Sequence, residues 1–212
     1  MIRFVFFDVA NTLLHKPALY QRIAAALKNN NITVDLIQLR NNHKLLSEVI
    51  RFPDKTNSDF YRQFNAELLY SLGIIPTTLL LDDIFEFCTY LPWEAFEDVS
   101  SINAISLPKG IISNWDTTLS QQLKAHLDVD FDIVVGSAES GVAKPNLSLY
   151  KKAILLSGFE PHEILFVGDS LKLDIEPAQK CGIQAILIDR YQLFLNYKNR
   201  IRFMSELNGV IS

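Results

Sequence analysis

The second half of the chain constrains the fold most, because short apolar runs alternate there with amphipathic stretches. The apolar runs have the length of strands and cover residues 110–112, 131–135, 164–167 and 185–188. The amphipathic stretches have helical spacing and lie near residues 98–107, 116–127, 146–157 and 171–181. This alternation favours βαβ units, and therefore an α/β fold with a parallel sheet covered by helices on both faces.

The first part of the chain combines one strand with a helical segment. Residues 3–7 form a further apolar run, which ends at Asp8. From Pro17 to about Pro92 the apolar residues recur at helical spacing, and no good strand interrupts them. The expected helices cover residues 18–29, 34–50 and 58–72, and a fourth has Pro76 in its first turn and ends near Tyr90.

These patterns predict two domains. Residues 1–15 and 93–212 are expected to form a Rossmann-like α/β core, and residues 16–92 a small all-helical domain inserted after the first strand. The last stretch, residues 191–212, has the least readable pattern of the chain.

Composition and charge limit the partners. A net charge of −4 provides neither a basic surface for nucleic acid nor a polybasic patch for a membrane. The apolar run at the N-terminus is too short for a signal sequence, and no stretch approaches the length of a membrane span. Cys88 and Cys181 lie far apart in apolar surroundings, which is typical of reduced, buried thiols. We therefore expect a soluble cytoplasmic protein, and the oligomeric state stays open.

Three apolar runs end in polar residues. Asp8 follows the first run, Ser113 follows residues 110–112, and Asp169 follows residues 164–167 after one glycine. A single aspartate at a strand end is usually a helix cap or a turn residue. In an open parallel sheet, however, the carboxyl ends of the strands face one crevice where ligands bind. Three such residues together predict a functional site at that edge.

Four segments carrying these residues resemble the motifs of the haloacid dehalogenase superfamily of hydrolases. In chain order they are residues 7–13 (Phe-Asp-Val-Ala-Asn-Thr-Leu), 111–114 (Ile-Ile-Ser-Asn), 141–145 (Gly-Val-Ala-Lys-Pro) and 167–174 (Val-Gly-Asp-Ser-Leu-Lys-Leu-Asp). Each segment alone is weak evidence, but four in order at the family's spacing are specific. The helical insert also lies where this superfamily carries its cap domain, although the insert itself contains no recognisable motif.

The resemblance implies a Mg²⁺-dependent hydrolase whose substrate is a small phosphate monoester. Asp8, Asp169 and the main-chain carbonyl of Ala10 would be metal ligands, and Asp174 would bind the metal directly or through water. Several carboxylates in one crevice are costly without a cation, and Mg²⁺ is a hard ion that suits oxygen ligands. Position alone would equally allow Asp174 to be an ordinary solvated charge.

The resemblance also implies the catalytic roles. Asp8 would be the nucleophile that forms an aspartyl-phosphate. Ser113 and nearby backbone N–H groups would hold a phosphoryl oxygen, and Asn114 would also bind the substrate. Lys144 would neutralise charge on Asp8 and on the phosphate. Apart from its motif, Lys144 has the sequence context of a surface residue.

Ala10 is the main departure from the family pattern. Most phosphatases of the superfamily have a second aspartate there, which protonates the leaving alcohol and later deprotonates water. Alanine keeps the backbone carbonyl but transfers no proton, so we expect weakened activity. Asn11 replaces the usual glycine, a modest change because asparagine tolerates left-handed geometry. His15 is a candidate for a substrate contact and for the missing acid, although an incidental histidine fits its position better.

Three alternatives stay open beside a phosphatase. A protein with this pocket and little turnover would still bind phosphorylated ligands. A 2-haloacid dehalogenase also lacks the second aspartate, but it needs no metal, and Asp169 and Asp174 would repel its carboxylate substrate. A phosphonoacetaldehyde hydrolase typically has alanine at this position, and it needs a Schiff-base lysine from the cap. Lys44 and Lys55 are available, but the Met-Gly-x-x-Lys signature of that branch is absent.

Overall fold

The computed structural model describes residues 1–50, 52 and 57–211. The chain forms two compact units, one made of Met1–His15 with Glu94–Ser212 and the other of Lys16–Trp93. Across the described ranges, every helix is too short or too polar to qualify as a membrane span.

The unit formed by Lys16–Trp93 is helical. Its described helices are α1 (Leu19–Asn29), α2 (Leu36–Val49), α3 (Ser58–Ser71) and α4 (Thr78–Phe87). Side-chain caps fix three of the starts, because the side chains of Asp35, Asn57 and Thr77 each accept a hydrogen bond from a backbone N–H three residues further on. The cap at Thr77 explains why α4 begins after Pro76 rather than at it. The same helix ends before Tyr90, whose φ of 58° is left-handed.

The helical unit has its own apolar core. Side chains that recur at helical spacing in α1 to α4 meet in this core: Ile23, Leu27, Leu39, Leu68, Leu69, Leu80 and Ile84. His43 of α2 packs beside it, with its ring edge-on to Tyr20 and Phe64 at centroid distances of 5.5 and 4.9 Å. Burial, followed by the neighbouring Lys44 charge, lowers the pKa of His43 to about 4. The helical unit therefore holds a neutral imidazole in its interior at neutral pH.

The other unit is an α/β core. Its described strands are β1 (Phe4–Phe7), β2 (Leu14–His15), β3 (Glu94–Ala95), β4 (Lys109–Ser113), β5 (Ile133–Gly136), β6 (Ile164–Gly168), β7 (Gln184–Ile188) and β8 (Arg200–Ile201). Six of these strands form one sheet in the order β5-β4-β1-β6-β7-β8, and every neighbouring pair is parallel. Flanking helices complete the predicted Rossmann-like α/β fold, which is confirmed.

Strand β1 lies in the middle of the sheet, between β4 and β6. All four of its residues are buried, as expected for a strand that has helices over both faces. The fit is tight: a Cβ atom at Gly110 would lie 2.5 Å from the Phe6 ring and 2.9 Å from the Ile133 carbonyl oxygen. Close packing therefore fixes where the carboxyl end of β1 emerges, and Asp8 follows directly.

The core has five described α-helices, three of which lie in the predicted segments, and two of those segments differ from the expected form. The five helices are α5 (Leu119–His126), α6 (Ser137–Ser140), α7 (Leu147–Ser157), α8 (Glu176–Lys180) and α9 (Asn208–Ile211). The stretch near 98–107 forms a 3₁₀ helix at Val99–Ala104 instead of an α-helix. The stretch near 171–181 divides into a π-helical turn, Leu171–Ile175, and the short helix α8. Gly158 and Gly182 end helices with φ values of 71° and 82°.

Three short strands are absent from the sequence prediction. Strands β2 and β3 pair antiparallel as a separate ribbon, and β8 extends the sheet within the least readable stretch, residues 191–212. Cys88 and Cys181 are free thiols that are partly buried. Burial raises the pKa of the Cys88 thiol to about 11, which keeps it protonated and unreactive.

Acidification should destabilise the protein through His43. Its folded pKa of about 4 lies below the unfolded value of about 6.5, so the unfolded chain binds more protons between these values. The contribution of neutral His43 to the free energy of unfolding is complete above about pH 6.5 and is lost as the pH falls towards about 4. Melting temperatures measured across this range should fall less steeply for His43→Phe than for the wild type. His162→Phe, at an exposed histidine, is the control, and equal slopes for all three proteins would contradict the prediction.

Candidate active site

The carboxyl ends of β1, β4 and β6 place polar side chains around Asp8. Asp8 is 4% exposed, and both of its oxygens are held. Ser113 Oγ donates to Asp8 Oδ1 over 3.1 Å, and Thr12 Oγ1 donates to Oδ2 over 3.1 Å. The sheet therefore presents the Asp8 carboxylate in one fixed orientation at its carboxyl edge.

Lys144 lies in the interior and bridges two carboxylates. Its Nζ is 2.5 Å from Asp8 Oδ1 and 2.6 Å from Asp174 Oδ1, and the residue is 3% exposed. Burial alone would lower the pKa of Lys144, but the adjacent charges of Asp174 and Asp8 outweigh burial and raise it. The ammonium is therefore permanently charged. The surface position that sequence context allowed is wrong for Lys144, and its contact with Asp174 was not foreseen.

Asn114 holds the backbone of Lys144. The side-chain Oδ1 of Asn114 accepts from the Lys144 N–H over 2.7 Å, and its Nδ2 donates to the Lys144 carbonyl over 3.1 Å. Both ends of the amide are thus used to fix the lysine. The side chain has a positioning role, and the backbone N–H is the part of Asn114 that suits the predicted contact with a phosphoryl oxygen.

Asp174 is carried by the π-helical turn and is 1% exposed, so the solvated position that the sequence allowed is wrong. The backbone N–H of Ser170 donates to its Oδ2 over 3.0 Å. The buried hydroxyl of Tyr150 donates to the carbonyl of Leu173, the residue before Asp174. Gly168 is required beneath it, because a Cβ there would lie 2.4 Å from the Asp174 carboxyl carbon. A π-helical turn is frequently found at a functional site, and this one is held by the contacts with Ser170 and Tyr150.

The donors of this cluster fit a hard divalent cation. Ligand atoms of Asp8, Asp169 and Asp174 all lie within 4.8 Å of one another, and all three residues are buried. Burial raises the pKa of Asp174 despite the opposing charge of Lys144, and the charges of Asp8 and Asp169 raise it further. One ammonium therefore does not balance three carboxylates, and carboxylate oxygens are the ligands that Mg²⁺ prefers.

The turn after Asp8 accommodates the two departures from the family motif. Asn11 has a φ of 62°, a left-handed geometry that glycine, the usual residue of the family motif at this position, adopts easily. Its backbone N–H donates to the Leu14 carbonyl over 2.6 Å, and Ala10 forms an isolated bridge with Leu14. Asn11 therefore adopts the turn without a glycine, whereas the methyl group of Ala10 offers no proton to a leaving group.

His15 lies in the ribbon strand β2. Its ring stacks on Phe96 with a centroid distance of 4.0 Å and an interplanar angle of 8°. Burial lowers its pKa, Arg190 lowers it further, and the carboxylates of Glu94 and Glu97 oppose this. His15 is thus neutral at pH 7 and packed against an aromatic ring, which favours a structural role.

The structure describes one of the two lysines that were considered for a Schiff base. Lys44 lies in α2, is 8% exposed, and its Nζ is 3.2 Å from Glu48 Oε1. An ion pair with a carboxylate stabilises the ammonium form of a lysine, whereas a Schiff base requires a free amine. Lys55 lies outside the described residues.

Sequence reasoning missed three supporting residues. Thr12 was recognised as part of a motif, but its hydrogen bond to Asp8 was not. Tyr150 lies in the predicted helical stretch 146–157 and was assigned no role of its own. Arg190 follows the apolar run 185–188 after one residue, Asp189, as Asp169 follows residues 164–167 after Gly168, so the rule of polar residues at strand ends could have found it. The family motifs provided no reason to apply the rule there.

Asp8, Lys144 and the carboxylate cluster lie together at the carboxyl edge of a parallel sheet. A family model described as haloacid dehalogenase-like hydrolase matches residues 2–182. The chain therefore belongs to the haloacid dehalogenase-like hydrolases.

One relative matches less than half of this chain, and another matches most of it. Haloacid dehalogenase-like hydrolase domain-containing protein 3 of Xenopus laevis is 36% identical over 95 residues, which are 44% of this chain and 39% of that protein. The chain thus spans well under half of this relative. A glyceraldehyde 3-phosphate phosphatase of Methanothermobacter thermautotrophicus is 27% identical over 203 residues, which cover 89% of this chain and 86% of the phosphatase.

Solved structures share the fold. The Bacillus subtilis protein YfnB bound to magnesium has a TM-score of 0.67 and 19% identity, with 99% of this chain and 98% of that chain covered. A 2-haloacid dehalogenase of Pseudomonas syringae has a TM-score of 0.61 and 20% identity, with coverage of 100% and 98%. At these identities the likeness extends to the fold alone.

Substituting Gly168 should disturb the carboxylate cluster. Gly168→Ala places a methyl group within the volume of the Asp174 carboxyl group, so strand or turn must shift. Overpacking of this kind typically costs about 1–3 kcal/mol, measurable by urea unfolding. Gly209→Ala is the matched control, because a Cβ at Gly209 has no neighbour within 4 Å. Equal stability of both variants would show that the turn yields freely.

Proposed function

We propose that the protein is a Mg²⁺-dependent phosphatase that hydrolyses a small phosphate monoester through an aspartyl-phosphate on Asp8. The observation that carries this proposal is the buried Lys144 ammonium, which contacts Asp8 and Asp174 at 2.5 and 2.6 Å. A fixed carboxylate beside a fixed cation suits attack on an anionic phosphorus centre, where like charges would otherwise repel.

Asp8 makes and breaks the bonds to phosphorus, and water supplies the protons. An Asp8 oxygen attacks phosphorus, the bond from phosphorus to the ester oxygen breaks, and the ester oxygen leaves as an anion that takes its proton from water. Water then attacks the phosphorus of the aspartyl-phosphate, which releases inorganic phosphate and restores Asp8. Thr12 and Ser113 orient Asp8 for the first step. Lys144 offsets the negative charge of both partners, and Ser113 with the Asn114 backbone N–H would hold a phosphoryl oxygen.

Four groups of the chain would hold the metal ion. They are the side chains of Asp8, Asp169 and Asp174 and the main-chain carbonyl of Ala10. When bound, Mg²⁺ supplies positive charge that polarises the phosphoryl oxygens and offsets the carboxylates. The spacing of the three carboxylates within 4.8 Å supports this assignment.

The clustered carboxylates also weigh against a 2-haloacid dehalogenase. The substrate of such an enzyme is itself a carboxylate, and Asp169 and Asp174 would repel it at 8% and 1% exposure, where solvent screens little. A phosphonoacetaldehyde hydrolase lacks support from Lys44, which is committed to Glu48. Relatives named as phosphatases that span most of the chain favour a phosphate ester.

Ala10 favours one second candidate, a protein that binds phosphorylated ligands without turning them over. The same pocket would bind a phosphate group, and the absence of a proton donor at position 10 would slow departure of an alcohol. The two candidates share the site and differ in turnover.

Mg²⁺ should raise the melting temperature if the cluster binds it. A ligand that binds only the folded state stabilises that state by mass action, so the shift should grow with Mg²⁺ concentration. Asp169→Asn should shrink the shift. Asp130→Asn is the matched control, since it removes the same charge from an exposed position. A calorimetric titration without Mg²⁺ binding at millimolar concentrations would overturn the metal assignment.

Restoring the second aspartate should change leaving-group selectivity. General acid–base catalysis is typically worth about 10²–10⁴-fold, and an aryl phosphate such as p-nitrophenyl phosphate needs the proton least. Ala10→Asp should therefore raise kcat/KM more for β-glycerophosphate than for p-nitrophenyl phosphate. If cleavage of the aspartyl-phosphate is the slow step, Ala10→Asp should raise kcat for both esters together, and the aspartyl-phosphate should accumulate in the wild type.

His15→Ala separates the remaining outcomes of that experiment. A wild type that is fast on alkyl phosphates and slowed by His15→Ala would assign the proton transfer to His15. A wild type that is inert on every ester, with no gain from Ala10→Asp, would refute the phosphatase and favour the ligand-binding protein.

A further inference from the structure

We propose that Arg190 is a positioning residue for Asp8 and acts through Thr12. The inference rests on the proposed function for its kinetic consequence, but the contacts themselves do not depend on it. Arg190 lies beyond the segment that the family model matches, and it follows β7, which is two strands away from β1 in the sheet.

The guanidinium of Arg190 is fixed by an ion pair. Its NH1 lies 2.9 Å from both Asp98 oxygens, and the two side chains are 11% and 18% exposed. Asp98 is fixed in turn, because its Oδ2 accepts from the Met204 backbone N–H over 2.7 Å. Charge-assisted bonds at this depth restrict the guanidinium to one position.

Aromatic packing fixes the plane of the same group. The Arg190 Cζ lies 3.8 Å from the centroid of the Phe96 ring, and the His15 ring stacks on Phe96 as well. The Nε of Arg190 is buried without a hydrogen-bond partner among the described residues. A buried donor without a hydrogen bond costs free energy. The position of the Arg190 guanidinium therefore favours the contacts with Asp98 and Phe96 over a hydrogen bond for Nε.

The contact that matters for the site is with Thr12. Arg190 NH2 donates to the Thr12 carbonyl over 2.8 Å, while the Thr12 hydroxyl donates to Asp8 Oδ2 over 3.1 Å. Thr12 is therefore held on its backbone by Arg190 and holds Asp8 with its side chain. A displacement of the Thr12 carbonyl would move the hydroxyl, and Asp8 Oδ2 would lose its donor.

The position of Arg190 determines which kinetic constant it affects. Arg190 is coupled to the nucleophile rather than to the groups assigned to the phosphate, which are Lys144, Ser113 and the Asn114 backbone. Its loss should therefore lower kcat and leave KM for a small ester nearly unchanged. A misplaced reacting group can cost up to about 10²-fold in rate.

The test compares Arg190→Lys with Arg200→Lys on p-nitrophenyl phosphate in the presence of Mg²⁺. Lysine keeps the charge of Arg190 but lacks the planar fork that reaches Asp98 and Thr12 together. Arg190→Lys should lower kcat by about tenfold to about a hundredfold, with KM within about twofold. Arg200→Lys is the control, since Arg200 pairs with Asp189 at 3.5 Å and should leave kcat unchanged. An unchanged kcat in Arg190→Lys would overturn the proposal.

A double-mutant cycle distinguishes positioning from general damage. Thr12→Val removes the hydroxyl that carries the effect, so Arg190→Lys should reduce kcat by less than about twofold in that background. Full additivity of the two substitutions would overturn the route through Thr12. If Arg190→Lys does not fold, Asp98→Asn is measured instead. This variant weakens the ion pair with Arg190 and keeps an oxygen that can accept from the Met204 N–H. The same loss of kcat is then expected.

A spectroscopic measurement keeps this proposal distinguishable from the phosphatase. The ¹³C carboxyl signal of Asp8 in aspartate-labelled protein, assigned with Asp8→Asn, should shift in Arg190→Lys in the same direction as in Thr12→Val. It should not shift in Arg200→Lys. A wild type inactive on every ester refutes the proposed function and leaves this test valid. An Asp8 signal unmoved by Arg190→Lys would overturn the positioning role.

Discussion

The buried bridge of Lys144 between Asp8 and Asp174 is the interaction on which the site depends. Its carboxylates come from the end of β1 and from the π turn after β6, and its lysine comes from the loop before α7. Removing one partner of a buried charge pair typically costs about 3–5 kcal/mol, because the other charge is left uncompensated. Asn114 fixes the backbone of Lys144, and Tyr150 and Gly168 fix the turn that carries Asp174. All three residues therefore support this one contact.

The strands of the sheet were predictable because burial on both faces leaves continuous apolar runs. Residues 3–7 and 164–167 read as strands for this reason, and they form β1 and β6. Strands β2, β3 and β8 have two residues each, too few to show any periodicity. The π turn at Leu171–Ile175 was also hidden, because its sequence has the spacing of an ordinary helix and its geometry is set by tertiary contacts.

The site was predictable to the extent that strand ends and motifs mark it. Asp8, Ser113, Lys144, Asp169 and Asp174 were expected in one place, and the structure brings them together; their chemical roles stay proposals. The sequence did not reveal that Lys144 touches two carboxylates or that Asn114 serves the lysine backbone. These contacts join residues about 30 or more positions apart, so no local pattern encodes them.

The ribbon of β2 and β3 has a consequence for how such chains can vary. The chain leaves the α/β core at His15 and returns at Glu94, and these two residues are paired in the ribbon. The insert thus begins and ends at one paired position of the ribbon. The distance that it must span is therefore the same whatever its length. Inserts of quite different size could therefore be exchanged at this junction during evolution, while the sheet and the catalytic edge stay the same.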